Sequence, residues 1–282
     1  MAARPSAAAP IGVFDSGIGG LTVLRALAAE FPGEQFVYLG DTARLPYGTK
    51  TAETVVRYSL QASEALLDFG VKCIVVACNT ASAVGLEAIR ERAAGLPVIG
   101  VIEPGAEAAC AATRAHIAVI ATERTVSGGA YQEAILRRRP DVRISARATP
   151  LFVALAEEGL TQGPVAASVA RHYLAGLFAA DVGACEEAGA VPPDTLVLGC
   201  THFPILTEII RSVIGPDVRI VDSAATTARA VRNELTMRGI ASASDTGHVQ
   251  FVATDGIERF ARVGGSFLGR PIAPAEITLI DL

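Results

Sequence analysis

Two stretches of the chain follow one plan: Ile74-Val-Val-Ala-Cys78-Asn79-Thr80 and Leu196-Val-Leu-Gly-Cys200-Thr201-His202. Each has a short apolar run, then a cysteine, then small or polar residues that can hydrogen-bond and open a helix. This weak internal repeat suggests two α/β halves in a pseudo-two-fold arrangement. Both cysteines are thus predicted at the point where a strand ends and a helix begins.

The same alternation of short apolar runs and longer amphipathic segments extends along the rest of the chain. Short apolar runs are typical of buried strands, and apolar residues at helical spacing are typical of packed helices. The pattern predicts strands at residues 11–14, 36–39, 73–77, 98–102, 116–121 and 195–198. It predicts helices at residues 21–31, 51–69, 80–94, 127–138 and 165–178. Strands separated by helices imply βαβ units and a mostly parallel sheet.

The length of 282 residues suits one large or two small domains. Two halves of similar layout favour two α/β domains, each a mostly parallel sheet flanked by helices. We place residues 11–104 and 219–282 in the first domain and residues 105–218 in the second, so that each domain carries one of the two cysteines. This division expects the strand-like segments 219–221 and 249–253 to return to the first domain.

The composition narrows the possible classes of function. Apolar residues make up 51% of the chain, enough for a full core, whereas aromatic residues make up 5% and Trp is absent. Stacking platforms for single-stranded nucleic acid need more aromatic side chains than this. The net charge of −5 also opposes binding to a polyanion. We therefore expect no nucleic-acid partner.

The sequence also bears on the compartment. It has no apolar run of about 18 residues, so we expect no membrane span. Residues 1–10 are rich in Ala and Pro and lack the long apolar core of a signal peptide. The five cysteines have no close pairing pattern and no CxxC spacing, which argues against a disulfide framework, a zinc ribbon and a thioredoxin site. The sequence predicts a cytoplasmic protein without a metal site.

Cys78 and Cys200 are the strongest candidates for chemistry. In open α/β sheets, ligands bind at the carboxyl ends of the strands, and helix N-termini stabilise a thiolate. His202 lies two residues after Cys200 and could act with it, or it could cap a helix or fill the core. A single cysteine after a strand is more often a small buried hydrophobe, but two in matched contexts favour a functional pair.

A glycine-rich turn follows the first predicted strand. Asp15-Ser-Gly-Ile-Gly-Gly20 matches the dinucleotide pattern GxGxxG poorly, because Thr22 stands where the third glycine would be. The turn can still present N–H groups to an anion. Asp15 could hydrogen-bond an ammonium group or a cysteine, or it could cap the next helix.

Other candidates lie in loops and at a helix end. In the loop at residues 40–48, Tyr47 and the N–H of Gly48 could close on a carboxylate, or they could form an ordinary turn. Glu157 and Glu158 precede a glycine where a helix is expected to end, and a solvated pair is the default interpretation there.

Four motifs together resemble those of one family, the glutamate racemases of the aspartate/glutamate racemase superfamily. They are Asp15-Ser-Gly-Ile-Gly-Gly-Leu-Thr22, Gly40-Asp-Thr-Ala-Arg-Leu-Pro-Tyr-Gly48, Ala77-Cys-Asn-Thr-Ala-Ser82 and Leu198-Gly-Cys-Thr-His-Phe-Pro204. The resemblance extends over roughly residues 11–265, with all four motifs in the family's order. It implies two α/β domains with the active site in the cleft between them, and no pyridoxal phosphate, flavin or metal. It also implies that the chain interconverts L- and D-glutamate and supplies D-glutamate for peptidoglycan.

The resemblance also implies roles for single residues. Cys78 handles the proton of the D-enantiomer with support from Asp15. Cys200 handles that of the L-enantiomer with support from His202 and Glu157. The implied substrate contacts are Asp15, Ser16, Tyr47, Gly48, Asn79, Thr80, Thr201 and His202, with Thr122 and Thr125 as further candidates for the distal carboxylate.

The chain departs from the family's pattern at a few positions. The loop at residues 181–194 looks longer than usual. Thr149 and Ala154 stand where Cys and Pro are common, in the segment that leads to Glu157. These changes leave the motifs intact, but they make Glu158 an alternative to Glu157.

Other functions fit parts of the pattern. An aspartate racemase, a hydantoin racemase or a maleate isomerase would use the same fold. A binding protein could keep the fold without chemistry, although a binder has no need of paired thiols. A dithiol oxidoreductase would need the two cysteines within disulfide reach. For the assembly, a homodimer is a further hypothesis.

Overall fold

The computed structural model describes residues 6–178 and 191–282. Every strand expected from the sequence is present, and strand 116–121 has the predicted bounds. The strands are β1 Ile11–Asp15, β2 Gln35–Gly40, β3 Cys73–Val76, β4 Val98–Gly100, β5 His116–Ala121, β6 Arg143–Ala148, β7 Thr195–Gly199, β8 Arg219–Asp222, β9 His248–Ala253 and β10 Ile277–Leu279.

At least one helix lies between each strand and the next along the chain. The helices are α1 Leu21–Glu30, α2 Ala52–Asp68, α3 Asn79–Val84, α4 Leu86–Arg92, α5 Ile102–Ala112, α6 Glu123–Ser127, α7 Ala130–Arg138, α8 Pro150–Glu157, α9 Gly163–Phe178, α10 Thr207–Ile214, α11 Ser223–Arg238 and α12 Ile257–Leu268. Short 3₁₀ turns occur at Tyr47–Thr49, Phe203–Leu206 and Pro274–Glu276.

The strands form two parallel sheets. The six-stranded sheet has the order β10-β9-β2-β1-β3-β4, and the four-stranded sheet has the order β6-β5-β7-β8. Every neighbouring pair of strands in both sheets is parallel. The predicted α/β class, with parallel sheets flanked by helices, is confirmed.

One predicted strand lies in the other sheet. We expected residues 219–221 to return to the first domain, but β8 pairs with β7, with Leu196 opposite Ile220. The β7-α10-β8 unit is a short connection between neighbouring parallel strands, which is the common arrangement. The other segment, residues 249–253, joins the six-stranded sheet through β9 and β2 as expected. The return therefore begins with α11, and the domain boundaries themselves stay a prediction.

Two predicted helices are interrupted. The helix expected at residues 80–94 is two helices, α3 and α4, which meet at Gly85. The helix expected at residues 127–138 begins only at Ala130, because Gly129 has a left-handed backbone conformation with φ of 70°. Both breaks fall at glycine, which weakens a helix and allows positive φ.

The fold brings the predicted motifs to one edge of the sheets. The loops after β1, β2 and β3 carry three of the four motifs, and the fourth follows β7. A hydrogen bond from Thr22 Oγ1 to the carbonyl of Thr201, 3.0 Å long, joins the two groups of loops. Of the long loop expected at 181–194, residues 181–190 lie outside the described residues. Over residues 6–178 and 191–282, no helix has the length and apolar content that a bilayer crossing requires.

Candidate active site

Cys78 lies two residues after the end of β3 and caps the amino end of α3. Its side chain is buried. The Sγ atom accepts a hydrogen bond from the backbone N–H of Ala81 at 3.5 Å and lies 3.4 Å from Oγ of Ser16. Polar donors at a helix N-terminus are a setting that stabilises a thiolate.

The protonation of Cys78 is controlled by its surroundings. Burial raises the pKa of the thiol from its ordinary 9.0 to about 12, and the carboxyl group of Asp15 adds to the rise. The hydroxyl of Ser16 and the N–H of Ala81 act in the opposite direction. At neutral pH the sulfur is therefore a thiol, and a cation or a further donor nearby would be needed to make it a base.

Cys200 follows β7 and is also buried. A 3₁₀ turn, Phe203–Leu206, follows it, and α10 begins only at Thr207. We expected an α-helix to begin directly after Cys200, as one does after Cys78. That expectation was wrong, because the α-helix begins only after the 3₁₀ turn. The neighbour of the sulfur is instead the side chain of His202, whose Nδ1 lies 3.7 Å from Sγ.

His202 connects Cys200 to an acidic side chain. Its Nε2 lies 3.1 Å from Oε1 of Glu157, and Oε2 of Glu157 accepts a hydrogen bond from Arg259 at 2.8 Å. Glu158 makes no such contact with the imidazole; it lies 4.0 Å from Arg259 and is exposed. Of the two candidate carboxylates, the fold thus brings Glu157 to His202.

The directions of the pKa shifts of His202 and Glu157 favour an ion pair between these two side chains. Burial lowers the pKa of His202, but hydrogen bonds to Cys200 and Glu157 outweigh it, so the pKa lies above its usual range. The hydrogen bond to His202 lowers the pKa of Glu157, with a further contribution from Arg259 and an opposing one from burial. An imidazolium beside Cys200 would stabilise the thiolate form of that cysteine.

Asp15 lies at the end of β1 and is fully buried. One carboxylate oxygen, Oδ2, accepts a hydrogen bond from the N–H of Gly17 at 3.0 Å. The other, Oδ1, has no partner among the described residues. Burial raises the pKa of Asp15, while the charge of His202 lowers it. A buried acceptor without a partner is costly unless a ligand supplies a donor.

Asn79 follows Cys78 and carries a buried hydrogen-bond donor without a partner in the described part of the chain, whereas Asp15 carries an acceptor without one. Its Oδ1 accepts a hydrogen bond of 2.7 Å from the hydroxyl of Tyr131. Its Nδ2 is buried and has no partner among the described residues. The site therefore holds both an unpaired acceptor, on Asp15, and an unpaired donor.

Three threonine hydroxyls meet near α3. Oγ1 of Thr80 lies 3.0 Å from that of Thr122 and 3.3 Å from that of Thr125, and the last two are 3.0 Å apart. Thr80 lies on α3, which follows β3 of the six-stranded sheet, whereas Thr122 and Thr125 follow β5 of the four-stranded sheet. Hydroxyl groups can turn their protons toward an anion, so the cluster can serve as a carboxylate site.

Tyr47 is buried, and its hydroxyl already has a partner. It donates a hydrogen bond to Oδ2 of Asp41, and its ring packs against Phe14 with centroids 6.1 Å apart. Gly48 faces Thr122 so closely that a Cβ atom on it would lie 2.8 Å from the Cβ of that threonine. The loop therefore reaches the threonine cluster through Gly48, whereas the hydroxyl of Tyr47 is engaged behind it.

Thr201 lies between Cys200 and His202 and is buried. Its Oγ1 lies 3.5 Å from Nδ1 of His202. Its carbonyl accepts the hydrogen bond from Thr22 described above. Thr201 therefore faces the imidazole and fixes the cysteine loop against α1.

A cavity of about 270 Å³ lies beside the site, between the loop after β2 and α8. Ala154, one of the departures from the family's pattern, lines it together with Glu157. The other departure, Thr149, is fully buried just before α8. Neither substitution displaces Glu157 from His202. The lining residues are Leu45, Pro46, Gly48, Thr49, Thr122, Glu123, Pro150, Val153, Ala154 and Glu157.

The two cysteines are both free thiols. In the part of the chain that the structure describes, no three His, Cys, Asp or Glu side chains group as a metal site requires.

Tyr131 and Arg259 contribute to the site, and the sequence analysis missed both. Each contacts a residue far away in the chain, since Tyr131 reaches Asn79 and Arg259 reaches Glu157. In the sequence Tyr131 is a core aromatic of a helix and Arg259 is a surface charge. The only local signal was that a buried tyrosine hydroxyl requires a partner.

The chain is similar to proteins of one family. The profile of the family described as Asp/Glu/Hydantoin racemase matches residues 11–231. A glutamate racemase from Geobacter metallireducens is 49% identical over 263 residues, which are 92% of each chain.

The chain is also similar to solved structures of glutamate racemases. The structure of glutamate racemase from Francisella tularensis in complex with D-glutamate has a TM-score of 0.88 and 32% identity, and covers 98% of each chain. That of glutamate racemase from Thermus thermophilus in complex with β-chloro-D-alanine has a TM-score of 0.84 and 41% identity, again with 98% of each chain covered.

Proposed function

Because the chain belongs to the Asp/Glu/Hydantoin racemase family, we propose that it is a glutamate racemase whose acid and base are Cys78 and Cys200. The observation that best supports this proposal is the matched placement of the buried thiols of Cys78 and Cys200. Each lies at the carboxyl end of a parallel strand and beside polar partners. The high identity to proteins named glutamate racemase supports glutamate as the substrate.

The chemistry suits two thiols on opposite faces of the substrate. The α-hydrogen of glutamate is a weak acid, so inversion needs a base on one face and an acid on the other. From D-glutamate, the Cys78 thiolate takes the α-proton, and the C–H electron pair stays on the substrate as a carbanion delocalised into the carboxylate. The Cys200 thiol then protonates the opposite face. General acid–base groups typically contribute about 10²–10⁴-fold each.

Each cysteine would be activated in its own way. The substrate's ammonium group, placed against the unpaired oxygen of Asp15, would add a positive charge near Cys78 and lower the raised pKa of that thiol. Cys200 has its cation built in, because Glu157 holds His202 in the charged form. The asymmetry assigns the ammonium-facing side to Cys78 and the imidazolium side to Cys200.

The remaining polar groups suit the two carboxylates. We assign Nδ2 of Asn79 to the α-carboxylate and the cluster of Thr80, Thr122 and Thr125 to the distal one. Ser16, Thr201 and Gly48 complete the contacts, whereas Tyr47 acts by holding the loop of Gly48.

The wider role follows from the same assignment. We propose that the protein acts in the cytoplasm without a cofactor, that it supplies D-glutamate for peptidoglycan, and that it forms a homodimer. A pair of thiols that places one proton-transfer group on each face supports cofactor-independent chemistry.

The test is incubation of metal-free, cofactor-free protein with L-glutamate in D₂O. We expect the optical rotation to decay and the α-proton signal to disappear by NMR as D-glutamate forms. Cys78→Ser and Cys200→Ser should both abolish racemisation, and each can still exchange the α-proton on one face. Cys110→Ser is the matched control, because this half-buried cysteine packs beside Ile135, away from the site.

Two results would contradict the proposal. Full racemisation by either Cys78→Ser or Cys200→Ser would exclude the two-thiol mechanism. Turnover of aspartate or a hydantoin, with none of glutamate, would move the substrate to another branch of the family.

A further inference from the structure

Tyr131 links the four-stranded sheet to the residue next to Cys78. It lies on α7, which flanks that sheet, and its hydroxyl reaches Oδ1 of Asn79 at 2.7 Å. Asn79 is the first residue of α3, directly after the cysteine. The hydrogen bond therefore joins α7, beside the four-stranded sheet, to the loop of Cys78, which follows a strand of the six-stranded sheet.

The ring of Tyr131 is confined between two glycines. A Cβ atom on Gly105 of α5 would lie 3.2 Å from Cε1 of the ring, and one on Gly199 of β7 would lie 3.1 Å from Cε2. Both distances are tighter than ordinary contacts, so a side chain at either position would displace the ring. The tyrosine is fully buried, so its ring has little room to move away from Asn79.

The hydroxyl must donate rather than accept. Burial raises the pKa of Tyr131, and the nearby Cys200 and Asp222 raise it further, so the phenol keeps its proton. The described residues offer this hydroxyl one hydrogen-bond acceptor, Oδ1 of Asn79. If the amide turned over, the buried O–H would lose its acceptor, and a buried donor without a partner is costly.

We propose that Tyr131 is a positioning residue, which fixes the Asn79 amide so that Nδ2 faces a carboxylate of the bound amino acid. The inference rests on the proposed function. The unpaired Nδ2 is the donor that this orientation presents. Turned over, the same amide would present an oxygen to the carboxylate and repel it.

A double-mutant cycle with Tyr131→Phe and Asn79→Ala tests this role. The phenylalanine keeps the ring between the two glycines and removes only the hydroxyl. Losing an oriented hydrogen bond to a charged group should raise KM for both enantiomers about tenfold, with kcat changed less, because the contact exists in both ground and transition states. In the Asn79→Ala background, Tyr131→Phe should change KM less than about twofold, because its partner is already gone.

Tyr173→Phe is the matched control. This buried tyrosine is on α9 of the same sheet, and its hydroxyl accepts from the N–H of Leu151 at 3.3 Å. The control should leave KM unchanged. Effects of Tyr131→Phe and Asn79→Ala that multiply would overturn the positioning role, as would a loss of thermal stability with KM unchanged.

Calorimetry on the four proteins of the cycle, which are the wild type, Tyr131→Phe, Asn79→Ala and the double variant, would give the Kd of D-glutamate for each. These values separate this inference from the proposed function. A wild-type protein that binds glutamate without racemising it contradicts the proposed function alone. Coupled effects on Kd would still support the role of Tyr131, and independent effects would refute it.

Discussion

Arg259 donates a 2.8 Å hydrogen bond to Glu157, and this contact joins α12 to the end of α8. The same helix α12 supplies Phe267, whose ring meets the imidazole of His202 edge-on with centroids 5.3 Å apart. Helix α12, which lies beside the six-stranded sheet, thus contacts both Glu157 and His202. These two side chains form the chain of contacts that leads to Cys200, which follows a strand of the four-stranded sheet.

We expect Arg259→Gln to lower kcat about three- to tenfold, because Glu157 would lose one of its two partners and hold His202 less firmly. The free energy of unfolding should change little, since a half-exposed ion pair contributes about 0–1 kcal/mol. Arg262→Gln, an exposed position on the same helix, is the control. Equal losses in both variants, measured as racemisation rates, would count against a specific role for Arg259.

Gly19 lies against the imidazole: a Cβ atom there would be 2.5 Å from Nδ1 of His202 and 2.5 Å from Oγ1 of Thr201. We expect Gly19→Ala to push both side chains away and to lower kcat/KM about a hundredfold, as misplacements of about 1 Å do at active sites. Steady-state kinetics in both directions would measure this.

The control for that variant is Gly176→Ala on α9, where nothing lies within 4 Å of the added methyl group. It should keep full activity and raise the free energy of unfolding by about 0.5–1 kcal/mol, because alanine favours a helix. Near-normal activity of Gly19→Ala would show that the loop yields without disturbing His202.

The raised pKa of Cys78, about 12, predicts slow alkylation of this residue at neutral pH. Below the pKa, the thiolate fraction and the rate with iodoacetamide should rise about tenfold per pH unit. Asp15→Asn removes one cause of the raised pKa, so it should speed the reaction at a given pH. Peptide mass spectrometry would give the rate, with Cys110 as the internal reference.

The same shift has a consequence for folding. A thiol whose pKa is higher in the folded state favours folding while it is protonated. Its contribution is complete below the unfolded value of 9.0 and is lost as the pH rises toward about 12. Alkylation of Cys78 that stays constant above pH 7 would refute both statements.

Lys72 is fully buried and bonds to Glu34 at 2.6 Å. Removing one partner leaves a buried charge, so Lys72→Met should cost about 3–5 kcal/mol of unfolding free energy. Adding Glu34→Gln should recover part of the loss. Arg92→Met breaks an exposed pair with Glu64 and should change stability by less than about 1 kcal/mol. Chemical denaturation would test the series, and no recovery in the double variant would argue against the pair.

The sequence was sufficient for eight of the ten strands in the described residues, because each of these contains a short apolar run. Strand β6 was missed because Arg143, Ser145 and Arg147 interrupt its apolar residues, and β10 was missed because it has only three residues. Placing β8 was harder, since a four-residue strand carries no mark of the sheet it will join. Local motifs also located Cys78, Cys200 and the loops around them. Tyr47 was a candidate for contact with a carboxylate, and the structure shows that its hydroxyl donates to Asp41. Contacts such as Tyr131 with Asn79 depend on packing between distant helices, which no local pattern encodes.

The path of the chain between the two sheets limits how the site can move. It crosses once by α5, between β4 and β5, and returns once by α11, between β8 and β9, and these helices pack against each other. Two adjacent connections restrict the relative displacement of the two sheets more than a single connection would. Because Thr80 follows a strand of one sheet and Thr122 and Thr125 follow a strand of the other, a change in the relative orientation of the sheets would change the distances among the three hydroxyls.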